Sequence, residues 1–209
     1  MERSRRFAAL VCLFAMVLTG CGQTGGQEVV ESTTISVDQK GGLTYYLVED
    51  FNKDYYSLSE LAEMASEEAA KFNKSAGEKQ SVAVDKVETL QEDESRVLIV
   101  YRFDGCASFN GFKDKIEKLS DGIFFYGTVD EAFEQGYINK VLLKSVKDET
   151  QKTEEQLKQD GAKKLIITDE KAVIYCPARV TYLSEGAVLN EDGSVNTSAS
   201  DGTVYILMK

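Results

Sequence analysis

The chain has 209 residues, with 24 basic and 35 acidic side chains, a formal charge of −11, and neither His nor Trp. So acidic a balance argues against nucleic acid as a partner, because affinity for phosphates comes from Lys and Arg. Without His there is no Ser-His-Asp triad, no Cys-His pair and no His-ligated zinc site, which leaves carboxylates, Lys and Tyr for any catalysis.

At the start, Arg3, Arg5 and Arg6 precede twelve unbroken apolar residues, Phe7 to Leu18, and Thr19-Gly20 leads into Cys21. A positive n-region, a short apolar core and small residues at the cut describe a secretory signal peptide, residues 1–20. The core is shorter than the ~20 residues a permanent transmembrane helix needs.

The ending Leu18-Thr19-Gly20-Cys21 resembles the bacterial lipobox. That resemblance implies a diacylglyceryl group on the Cys21 thiol and cleavage just before it. The mature protein is then expected to be exported and held by lipid at the outer face of the bacterial cytoplasmic membrane. One acyl chain anchors only marginally, whereas two hold stably. Loss of residues 1–20 removes three Arg and one Glu, leaving 21 basic and 34 acidic side chains, a formal charge of −13. Residues 21–28, rich in Gly and Gln, read as a short tether that keeps the body close to the membrane.

The body opens with a hairpin signal. Thr33, Ile35 and Val37 alternate with polar neighbours, Lys40-Gly41-Gly42 makes a turn, and Leu43 to Val48 returns. Leu58, Leu61, Ala62, Ala65, Ala69 and Phe72 then fall on one helical face, with Ser57 and Glu60 at capping-box spacing and Gly77 as the stop. A second strand pair is expected from Val82 and Val84, the acidic turn Glu92-Asp93-Glu94, and the run Val97 to Val100, which reads as a strand buried on both faces.

Phe112, Ile116 and Leu119 predict another helix ending near Gly122, followed by a strand over Ile123 to Tyr126. Thr128 and Glu131 repeat the capping-box spacing before a short helix stopped by Gly136. Further strands are expected at Val141–Val146, Leu165–Ile167, Ala172–Tyr175, Val180–Leu183 and Val204–Met208, with a short polar helix over Glu154–Gln159. Strands in hairpins with three or four short helices predict an α+β fold of mostly antiparallel sheet. Residues 29–209 read as one extracytoplasmic domain, with two lobes divided near residue 120 as the alternative. In general style this body resembles the uncharacterised surface lipoproteins of Gram-positive bacteria, a resemblance that carries over no site residues.

Cys12 leaves with the signal and Cys21 carries lipid, so Cys106 and Cys176 are the thiols of the body. In an exported protein they invite a disulfide; two separate buried thiols are the other reading. The densest aromatic stretch, Tyr45, Tyr46, Phe51, Tyr55 and Tyr56, is a candidate ligand surface for a glycan, although alternation puts Tyr45 and Tyr46 on opposite faces of a strand. Asn190, Asp192, Ser194, Asn196 and Asp201 fall short of a calcium loop, since Val195 stands where the turn needs Gly. Gly41-Gly42 has no phosphate-loop sequel, and no cofactor or metal is expected.

These observations favour a non-enzymatic module that binds an envelope protein or a glycan. A scaffold of envelope assembly and a two-carboxylate wall or glycan hydrolase are the alternatives. The hydrolase would need a cleft with a paired Asp or Glu and one carboxylic acid of raised pKa.

Overall fold

The first strand of the body, β1 (Thr34–Val37), turns through Asp38–Gly42 into β2 (Leu43–Asp50). Gly41 supplies the positive φ of +91° that this turn requires, and the Asp38 carboxylate accepts the backbone N–H groups of Lys40 and Gly42 at 2.7 and 2.9 Å. The computed structural model describes residues 30–77, 80–115 and 122–209. The signal peptide, Cys21 and the tether lie outside the described residues, as do Ile116 and Leu119.

Helix α1 (Leu58–Ser75) forms where the apolar spacing predicts it, with Ser57 accepting the Glu60 N–H at its start. Ala65, Ala69 and Phe72 are its buried contacts, and Lys71 pairs with Glu67 on the wet face at 3.0 Å. Near its end Asn73 grips the next strand, accepting from the N–H groups of Ser81 and Val82 and donating to the Val82 carbonyl. That strand is β3 (Val82–Thr89), which pairs with β4 (Arg96–Phe103). Val97 to Tyr101 of β4 are buried without a break, as befits a strand covered on both faces.

Helix α2 (Cys106–Lys113) begins earlier than the Phe112 signal placed it, because Phe109 as well as Phe112 is drawn inside. After β5 (Phe124–Thr128), helix α3 (Val129–Glu134) carries the expected reciprocal capping box between Thr128 and Glu131. A second reciprocal box, Thr153 with Gln156, opens α4 (Glu154–Leu157), which follows β6 (Leu142–Ser145) and β7 (Gln151–Thr153). The remaining strands are β8 (Lys164–Thr168), β9 (Val173–Tyr175), β10 (Val180–Leu183), β11 (Val188–Leu189), β12 (Val195–Asn196) and β13 (Val204–Met208).

Among the described residues the strands form two sheets, mostly antiparallel, and the fold is α+β. One sheet has the order β11-β12-β9-β1-β2-β4-β3, the other β5-β8-β13-β10-β6-β7. The pairing of β1 with β9 is parallel. After β8 the chain alternates between the sheets, so they are interlaced. One core cluster joins Ile35, Tyr45 and Tyr101 of the first sheet to Phe124, Ile166 and Ile206 of the second.

The far side of the second sheet carries its own core, with Leu165, Ile167 and Leu207 covered by Val129 and Ala132 of α3 and Leu157 of α4. The outer face of the first sheet holds only a small apolar group, Val48, Leu98 and Val100, bordered by Val30, Tyr46 and Leu90. The rest of that face is polar.

Candidate functional site

Strand register builds the floor of a cleft on the polar outer face. Ser36 lies opposite Thr44, Thr44 opposite Arg102, and Arg102 opposite Ala83, giving one row across four strands. Because side chains alternate along a strand, this row faces out while Val37, Leu43 and Phe103 face the core. The Asp38–Gly42 turn forms one rim, and Ser81 and Asp104 form the other. The cleft is shallow and open to solvent, with a volume of about 550 Å³.

Of the four charged side chains that line it, Asp38, Lys40, Arg102 and Asp104, three are held by structural partners, Lys40 being the exception among the described residues. Arg102 makes a forked pair with Asp85, Nε to Oδ2 at 2.5 Å and Nη2 to Oδ1 at 2.8 Å. Asp85 faces out by simple alternation from Ala83, and the bulge between Val84 and Lys86 resets the register so that Lys86 also faces out and Val87 returns to the core. Asp104 accepts the Ser108 hydroxyl, while Asp38 closes its own turn. A Cβ at Gly42 would lie 2.7 Å from Asp38 Oδ2, so glycine is what lets this rim close up. Hydroxyls, a guanidinium and two carboxylates thus face one space, a lining suited to hydrogen-bonding a polar ligand.

The structure divides the five aromatics singled out from the sequence. Tyr45 belongs to the core: it is buried on β2 and packs edge-on against Phe109 at 5.3 Å, and so is no part of a ligand surface. Burial, reinforced by the nearby Glu49 carboxylate, pushes its phenol well above the ordinary range. Tyr46 points to the opposite face and is half-buried beside the small outer apolar group. Only Phe51, Tyr56 and Tyr55 come together, with ring centroids 5.2 Å and 5.0 Å apart in sequence along the stack. Tyr55 is 78% exposed. This trio follows the last residue of β2, at the opposite end of the sheet from the cleft.

Cys106 and Cys176 are free, half-buried thiols rather than a bridge, both packed against the main core near Tyr126. Burial raises the Cys106 thiol to about 11, with the Tyr126 backbone amide partly opposing the shift. Burial alone raises Cys176 to about 12. Both groups are neutral in the folded protein, whereas in the unfolded chain they ionise near 9. Between those values the unfolded chain binds fewer protons, so their contribution is fully present below about pH 9 and is lost as pH rises through 11–12. The urea midpoint is expected to fall steadily from pH 8.5 upward, and less steeply in a Cys106→Ala/Cys176→Ala chain. Identical slopes in the two proteins would remove the thiols as the cause.

Three residues of the discarded calcium loop, Asn190, Asp192 and Ser194, are tied to one another. Asp192 Oδ1 accepts the Ser194 N–H and hydroxyl, its Oδ2 accepts the Tyr175 hydroxyl, and Gly193 takes the positive φ of the β11–β12 hairpin. These hydrogen bonds hold the Asp192 carboxyl below its usual range. Hydrogen bonds from Ser or Thr do the same for Asp93, Glu131 and Asp148. For Asp160 burial works the other way, but bonds from Lys163 and Lys152 outweigh it.

Sequence reasoning missed the cleft, and no local signal marks it. Its row exists only once four strands are in register. No protein-family model, curated protein or solved structure matches the chain.

Proposed function

We propose that the protein is a non-enzymatic binding module, exported and held at the outer face of the membrane by lipid on Cys21, which takes a small polar ligand in the cleft on its first sheet. The row Ser36, Thr44, Arg102, with the rims at Asp38 and Asp104, carries this reading. Binding is favoured over hydrolysis because each carboxylate of the cleft already has a structural partner. Asp38 accepts two turn N–H groups and Asp104 accepts a serine hydroxyl.

The test uses the mature chain with Cys21→Ser, followed by thermal unfolding against wall-derived saccharides, short peptides, amino acids and organic phosphates. A ligand at 100 times its Kd adds about 2.7 kcal/mol, a rise of roughly 5–10 °C for a chain of this size. Gly42→Ala and Arg102→Ala are expected to abolish the shift, whereas Tyr55→Ala keeps it. No shift with any class, or a shift that survives Gly42→Ala, counts against the cleft. The anchor is tested separately: in the producing cell, Cys21→Ser should leave the membrane fraction.

A further inference from the structure

Two features of the first sheet meet at one end of it. The chain enters the body there. The Glu31 carbonyl accepts from Arg96 Nη1 at 2.8 Å, and Arg96 lies opposite Asp50 in the β2–β4 register. The next residue is Phe51, whose N–H donates to the Ser95 carbonyl at 2.6 Å. Half-buried Phe51 therefore stands one residue from the point where the chain enters the fold, and the exposed rings of Tyr56 and Tyr55 pack onto it in turn. The cleft lies at the other end of β2, about 27 Å away for an eight-residue strand.

We propose that Phe51, Tyr55 and Tyr56 rest in the headgroup layer of the membrane that holds the lipid on Cys21, so that the body stands with its cleft turned away from the lipid. This rests on the lipid-anchor reading above. The nine peptide units from Cys21 to Val30 span at most about 32 Å when fully extended, which keeps this end of the body near the surface. Tyrosine joins an apolar ring to a polar tip, the combination that favours the boundary between headgroups and acyl chains.

Charge selects the kind of lipid. Glu31, Glu49, Asp50, Asp54, Glu92, Asp93 and Glu94 lie on the segments of this end, against Lys53 and Arg96. Such an end is repelled by an anionic surface, so the contact is with zwitterionic headgroups and is weakened by anionic lipid.

The absence of Trp from the chain gives a direct probe. Lipid-bearing protein with Tyr55→Trp is reconstituted into phosphatidylcholine vesicles containing lipid brominated near the headgroup, and Lys40→Trp, in the turn at the cleft end, serves as the reference. The proposal expects both proteins to float with the vesicles. The indole introduced at position 55 loses most of its emission, the indole at position 40 keeps its own, and added phosphatidylglycerol relieves the quenching.

If the protein floats but position 55 is unquenched, or both positions are quenched alike, the docking proposal is overturned while the anchor stands. If the protein does not float, the anchor reading falls and the docking goes with it. Position 55 exposed in pure lipid yet shielded in native membranes identifies a protein occupant, which also overturns the proposal. Because Tyr55 is largely exposed, an unchanged melting temperature is expected to confirm that Tyr55→Trp leaves the fold intact.

Discussion

Replacing Lys113 alone with methionine is expected to destabilise the protein by about 3–5 kcal/mol, because it strands a buried carboxylate without its partner. The Lys113 and Glu170 side chains are 1% and 4% exposed and form a direct ion pair. Lys113 Nζ also donates to the Gly122 carbonyl at 3.0 Å and lies 5.1 Å from the centre of the Phe109 ring. The pair ties α2 to the β8–β9 connection, whose backbone is fixed in turn by Thr168 and Thr197.

Glu170→Leu alone should be similarly damaging. Lys113→Met combined with Glu170→Leu should recover most of the loss, since two apolar side chains remove both desolvation penalties together. Urea denaturation of the four proteins gives the coupling energy directly. Strictly additive losses would mean that the two side chains act apart, and the pairing would have to be abandoned.

Phe109→Ala is expected to be comparably severe, at about 3–5 kcal/mol. Phe109 is fully buried, and its ring meets Tyr45 of β2 at 5.3 Å, Phe103 of β4 at 5.2 Å and Phe124 of β5 at 5.7 Å. It is a wedge between the two sheets, so the loss falls where they join. Phe133→Ala is the comparison: Phe133 is only partly buried and packs beside the second core. It should cost much less. Comparable losses at the two positions would argue against a special role for the wedge.

What was legible in the sequence was what neighbours in the chain decide. The turn at Gly41, helix α1 and the Thr128–Glu131 capping box each rest on residues a few positions apart, and each formed where expected. Strands β7, β11 and β12 were missed, at three, two and two residues, because their pairing partners define them rather than their own pattern. The parallel pairing of β1 with β9 joins segments more than a hundred residues apart and has no local sign.

The same distinction governs the sites. Alternation alone separated Tyr45 from Tyr46 correctly. The convergence of Phe51, Tyr55 and Tyr56 follows from their closeness in the chain. Nothing local, however, could bring Ser36, Thr44 and Arg102 into one row, or bring Lys113 to Glu170, 57 positions away.

The place of β13 bears on the order in which the molecule is assembled. This strand lies in the middle of its sheet, paired on one side with β8 and on the other with β10. Val204, Ile206 and Met208 fill the core shared by both sheets, and Leu207 fills the other. A chain delivered amino end first holds β5–β8 and β10–β6–β7 as two half-sheets, each with an open edge where residues 204–208 belong. Until those residues arrive, neither core can close. Folding is therefore expected to come as one late, cooperative event, once residues 204–208 are available to both half-sheets.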